Sequence, residues 1–127
     1  MSWIYYNPNP KANYVGDCVI RALTLACKQT WDETYLQVAS QGYILKDMPS
    51  SNTIWGIYLK HKGFKRYIIP DTCPDCYTVS NFCYDHPEGL FVLATGTHVV
   101  TVIDGDYYDT WDSGSEIPIY YFKKEDN

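Results

Sequence analysis

Apolar residues crowd one stretch near the start of the chain. Val19, Ile20, Ala22, Leu23, Leu25, Ala26 and Cys27 cover most of a helix circumference, which predicts a helix buried on several sides at the centre of the fold. Thr30-Trp31-Asp32-Glu33 has the capping-box pattern, in which hydroxyl and carboxylate each satisfy the other residue's backbone N–H. A second helix is therefore expected from about Trp31 to Gln41, ending before Gly42. Ser50-Ser51-Asn52 offers caps for a third, with Ile54, Ile57, Tyr58 and His61 along one side, Trp55 in the core and Gly63 as the stop. His61 is read as a partner for the carboxyl end of that helix or as a cleft-side residue, and not as a ligand.

The texture then changes. Phe64 to Ile69 reads as a strand closed by Pro70-Asp71, and Thr78 caps a short helix to about Tyr84, ended by His86-Pro87-Glu88-Gly89. Three strands follow, Leu90 to Ala94, His98 to Ile103 and Tyr107 to Trp111, the last two joined by Asp104-Gly105, a strong hairpin signal. Ile117 to Lys123 alternates as a final strand. At the other end, NPNPKAN (7–13) is an extended or turn-rich arm, and Trp3, Tyr5 and Tyr6 before it are expected to pack across the sheet. Helices first and an antiparallel sheet second is an α+β plan, in one domain spanning 1–127.

Composition narrows the partners. Ten Lys+Arg against fifteen Asp+Glu give a net charge of −5, with the charges scattered and no basic stripe of the kind that neutralises phosphates, so nucleic acid is not expected as a partner. Apolar stretches such as Gly89 to Ala94 fall far short of the roughly 20 residues of a membrane span. MSWIYYNPNP has no basic region followed by an apolar one, so no signal peptide is read and a cytoplasmic location is expected. Five cysteines, an odd number in a reducing compartment, are expected to be sorted by chemistry and not paired.

The candidate chemistry starts at GDC (16–18), where a turn glycine, a capping Asp17 and Cys18 precede the central helix. A helix amino terminus lowers a thiol pKa, and the thiolate is the nucleophile. Arg21, one turn on, is placed to pair with an acid. A two-residue turn at Asp104-Gly105 makes Ile103 face Asp106; counting back, His98 faces Trp111 and Asp109 is its diagonal neighbour on the same face. A His and a carboxylate side by side is what holding an imidazole in one tautomer requires. Taken alone, a cysteine ahead of an apolar helix is more often core material and a strand histidine more often structural. Together the three residues make a complete nucleophilic set.

GDC (16–18), HVVTVIDG (98–105) and DTW (109–111) resemble three segments of the papain-like cysteine peptidase superfamily: its Gly-Ser-Cys helix entry, its His-bearing strand and its Asn-Ser-Trp. The chain is also similar to bacteriocin-processing peptidases and to a small papain-like group of bacteria and phages. The resemblance implies a papain-like fold, Cys18 as nucleophile, His98 as proton shuttle, Asp109 as imidazole orienter and Trp111 as the ring shielding that hydrogen bond. It implies a peptide or protein substrate and no cofactor for catalysis. Where papain-type enzymes carry an oxyanion Gln, this chain has Ala12, and Asn13 is the substitute candidate. The alternative is a binding or inhibitory module that keeps the fold without the chemistry.

A second cluster, Cys73-Pro-Asp-Cys76 and then Cys83-Tyr-Asp-His86, reads as C-x2-C…C-x2-H. Four soft ligands within a short stretch suit a closed, structural Zn²⁺ site. The other reading is of reduced cysteines in a turn beside a surface histidine. Cys27 is read as core.

Overall fold

Asp104 and Gly105 adopt φ of 50° and 83° in the computed structural model, which describes residues 2–125. Two successive left-handed residues match the right-handed twist of the strands they join. The hairpin between β4 (Val99–Ile103) and β5 (Asp106–Asp109) pairs Ile103 with Asp106, Val102 with Tyr107 and Thr101 with Tyr108, the register read from the sequence.

Around it stand β1 (Trp3–Tyr5), α1 (Cys18–Ala26), α2 (Trp31–Leu45), α3 (Asn52–His61), β2 (Phe64–Ile68), α4 (Val79–Asp85), β3 (Leu90–Ala94) and β6 (Tyr120–Lys124). Six strands form one sheet in the order β1-β5-β4-β3-β6-β2. Five of them are antiparallel neighbours, but β1 joins β5 in parallel. The sheet is therefore mixed, which corrects the expectation of an antiparallel one. Trp3 and Tyr5 do not lie across it; they form its edge strand.

Strand alternation sends side chains into two cores. Val92, Ala94, Val99, Tyr120 and Phe122 meet Val19, Ile20 and Leu23 of α1 and Ile54, Trp55 and Leu59 of α3. Phe91, Leu93, Val100, Val102 and Tyr107 meet Val79, Phe82 and Cys83 of α4 on the opposite face. Trp55, fully buried, packs its ring 5.5 Å from that of Phe122. Thr101 ties α1 to the sheet by donating its hydroxyl to the Ala22 carbonyl at 2.7 Å.

The expected capping box of Thr30 with Glu33 forms, and Thr78, expected as a cap, forms a second one with Asn81. Gly42 does not end α2, which runs on to Leu45 and stops at Lys46 in the left-handed conformation. A Cβ at Gly42 would lie 2.6 Å from the Asp47 carbonyl oxygen, so the glycine serves a close approach of backbone to helix. Among the described residues no helix is long and apolar enough to cross a membrane.

Candidate functional site

The first residue of α1 is Cys18, and its half-buried side chain hydrogen-bonds to the ring of His98 and to the Val99 backbone N–H. His98 stands one residue ahead of β4, and its Nε2 lies 2.6 Å from Oδ2 of Asp109, the last residue of β5. With Nε2 on Asp109, Nδ1 is the ring atom left to face the thiol. The counting that put His98 and Asp109 on one face also puts that face away from α1, the side of Val100 and Val102. They meet the amino end of the helix at the rim of the sheet, where His98 lies one residue outside β4 and Asp109, the last residue of β5, keeps only its pairing with Tyr5 of β1.

Asp109 is fully buried, and its carboxylate has four donors. Oδ1 accepts from Arg21 Nη2 at 2.9 Å and from the Thr110 N–H at 2.8 Å, while Oδ2 accepts from His98 and, at 2.6 Å, from the Ser113 hydroxyl. Arg21 is itself buried and bridges to Asp17, Nη1 to Oδ1 at 2.6 Å, and the second oxygen of Asp17 takes the Trp31 indole N–H at 2.9 Å. Asp17 occupies the position before the helix without capping it by a side-chain hydrogen bond. The guanidinium competes for the carboxylate and wins, because a buried cation without a counter-charge costs far more than an unfilled cap.

These charges set the protonation states. Burial lowers the His98 pKa, but the hydrogen bonds to Asp109 and Cys18 and their negative charges outweigh it and lift it to about 9. Burial raises the Cys18 thiol, yet the hydrogen bonds from His98 and Val99 and the charges of His98 and Arg21 leave it below the ordinary value. Asp109 is likewise raised by burial and held below the ordinary carboxylate value by His98, Ser113 and Arg21. A thiol pushed down and an imidazole pushed up favour a thiolate–imidazolium pair, which is chemically a nucleophile with a proton donor beside it.

The chain matches no family model, no curated protein and no solved structure. Trp111 lies with its ring 4.9 Å from that of His98, where a shield for the His98–Asp109 hydrogen bond would be. Asn13 is exposed in the arm, where its carbonyl takes the Asn7 amide at 3.3 Å, and Ala12 beside it has φ of 56°. An apolar groove of about 340 Å³ opens on the helix start, lined by Val15, Val19, Ile20, Trp31, Met48 and Pro49 among others. Asp17 and Val19, the chain neighbours of Cys18 on either side, are in its wall.

The second cysteine cluster is not brought together. Cys73 and Cys76 form a disulfide in an exposed turn, although the cysteines were expected to stay unpaired. Cys83 points into the core under α4, where burial pushes its thiol up to about 11. His86 Nδ1 lies 2.9 Å from the Phe82 carbonyl oxygen, and its ring stacks on Phe82 at 3.8 Å. Among the described residues no group of three or more His, Cys, Asp and Glu side chains can hold a metal ion. Pattern spacing along α4 does not suffice, because the helix buries the face that carries Cys83 while the disulfide turn stays outside. Cys27 is half-buried, its thiol raised to about 11 by burial.

Ser113 and the full reach of Arg21 escaped the sequence reading. A lone cation inside an otherwise apolar helix was the available signal for Arg21, since burying it demands carboxylates. Ser113 gave none.

Proposed function

We propose that this chain is a small cysteine hydrolase of papain-like fold that cleaves peptide or other amide bonds through a thioester. The observation that carries the reading is the unbroken line from Cys18 through the His98 ring to the buried Asp109 carboxylate. The order helix-borne Cys, then His and Asp on consecutive strands, supports the papain-like assignment.

In this reading the Cys18 thiolate attacks the acyl carbon and a C–S bond forms. The carbonyl oxygen takes the negative charge facing the amino end of α1, whose first N–H groups have no carbonyl behind them. Arg21 is the first residue whose N–H is taken inside the turn, by the Asp17 carbonyl at 2.8 Å. The C–N bond breaks as imidazolium His98 gives its proton to the leaving amine. Neutral His98 then takes a proton from water, hydroxide attacks the thioester, and the acid leaves with Cys18 again a thiolate and His98 again protonated. Asp109 holds the ring and stays ionised throughout. The apolar groove beside the thiol suits a bulky apolar side chain of the substrate.

One observation favours the alternative of a binding module without chemistry: Ala12 carries no donor, and Asn13 is exposed with its carbonyl tied to Asn7. Iodoacetamide separates the two. The hydrolase reading expects Cys18 to be alkylated at pH 6.5 well ahead of Cys27 and Cys83, and a fluorogenic peptide with an apolar residue to be turned over by wild type and not by Cys18→Ala. Alkylation of Cys18 no faster than a free thiol at that pH sinks the hydrolase reading.

A further inference from the structure

At the other end of α1 from Cys18 lies a cavity of about 560 Å³, within the range of small-molecule sites. Four of the chain's ten basic residues line it: Lys28 just after α1, Lys62 at the end of α3, and Lys123 and Lys124 on β6. Its one carboxylate, Asp104, is engaged by the Gly89 N–H at 2.9 Å. All four lysines are exposed, and none makes an ion pair among the described residues. Lys124 Nζ donates to the Lys62 carbonyl at 2.6 Å, which brings the Lys124 ammonium to the end of α3 beside the cavity. The walls between them are apolar, with Phe64, Leu90 and Ile103.

A chain with fifteen acids and ten bases has ample carboxylates to pair with such a cluster, yet among the described residues none forms an ion pair with it. Like charges around a concave apolar wall repel one another and raise the local potential, which an anion relieves. The carboxyl ends of α1 and α3 account for Lys28 and Lys62 as dipole partners, but not for Lys123 and Lys124 on a strand. We propose that this cavity is a second binding site, for a small organic anion: a phosphate, carboxylate or sulfonate head among the lysines on an apolar body against Phe64, Leu90 and Ile103. A helix of nine residues puts it about 13 Å from the Cys18 end, so it is separate from the thiol site.

The test uses 1-anilinonaphthalene-8-sulfonate and its uncharged counterpart N-phenyl-1-naphthylamine, followed by fluorescence and by methyl NMR of the full chain. The sulfonate should bind saturably and shift the Leu90 and Ile103 methyls. Its affinity should fall at least tenfold in Lys62→Gln/Lys123→Gln and at least fivefold between 50 and 500 mM salt, because exposed charges are screened over about 10 Å or less. The uncharged probe should bind at least tenfold more weakly. Equal affinity for the double variant, equal affinity for the uncharged probe, or shifts at Val15 and Ile20 instead would overturn the proposal. So would a variant that loses thermal stability while binding the sulfonate unchanged, since the lysines would then serve only the helix ends. Circular dichroism checks that the variant is folded, and these exposed positions leave the cores intact.

Discussion

Replacing Asp109 by Asn removes one charge and tests how the thiol is set. His98 is lifted from the ordinary 6.5 to about 9, a preference for the imidazolium of about 3 kcal/mol at 1.4 kcal/mol per decade. Its side chain is only 10% exposed, so solvent screening takes little from that figure. Burial acts against the imidazolium, and Asp109 supplies the larger opposing share. Losing the charge should bring His98 down by roughly two decades and lower the ratio of the thiolate–imidazolium pair to the neutral pair about 100-fold. The thiolate that remains is more basic and, with a Brønsted slope near 0.5, about tenfold more nucleophilic. The two effects leave alkylation by iodoacetamide about tenfold slower at pH 6.5. The profile should change shape as well, from a broad plateau ending near pH 9 to a rate still climbing there. The amide cannot serve all four donors on Asp109, so the rates are to be measured well below the melting temperature of the variant. An alkylation rate at pH 6.5 within twofold of wild type, with the plateau kept, would refute the reasoning.

Arg21→Met leaves Asp17 and Asp109 buried without their shared cation, a loss of about 3–5 kcal/mol that should lower the thermal midpoint by roughly 10–20 °C; a fall under 5 °C contradicts it. Because the His98 pKa is raised, its stabilisation is complete below pH 6.5 and disappears as the pH rises through about 9, whereas the lowered Asp109 stabilises above its ordinary 3.8 and loses that on acidification. Urea midpoints should therefore fall both from pH 6.5 to 9.5 and below pH 4, and a midpoint still rising at pH 9 is the opposite result. Gly42→Ala improves helix propensity by about 1 kcal/mol, yet its Cβ would stand 2.6 Å from backbone at Asp47. The net effect should be a destabilisation of about 1–2 kcal/mol, read by differential scanning calorimetry; a gain in stability overturns the close-approach argument.

Local signals were legible where a single turn carries the information. Asp104-Gly105 set the β4–β5 register, and through it the adjacency of His98 and Asp109; Thr30, by its capping box, and Thr78, as a cap residue, marked two helix starts. What was missed lies in contacts between distant segments. Three residues of β1 pair with β5 across a hundred positions, and neither stretch carries a sign of the other. Gly42 looked like a stop because its Cβ conflict is with a loop that folds back on the helix. Charge scattered along the chain became four lysines around one cavity only through folding. The C-x2-C…C-x2-H spacing suggested a shared site, but spacing does not say which side of α4 faces the core.

Cys18 and Arg21 occupy one turn of one helix, while His98 and Asp109 belong to the sheet. Sliding α1 by two residues would carry the sulfur about 3 Å from the imidazole, and the same slide would pull the guanidinium off Asp109 and strand buried charges. The fastening that aligns the reactive pair is thus the one that holds helix to sheet. Such a layout converts small misalignments into unfolding, so damaging substitutions around α1 should surface as chains that fold poorly and not as folded chains with a misplaced thiol.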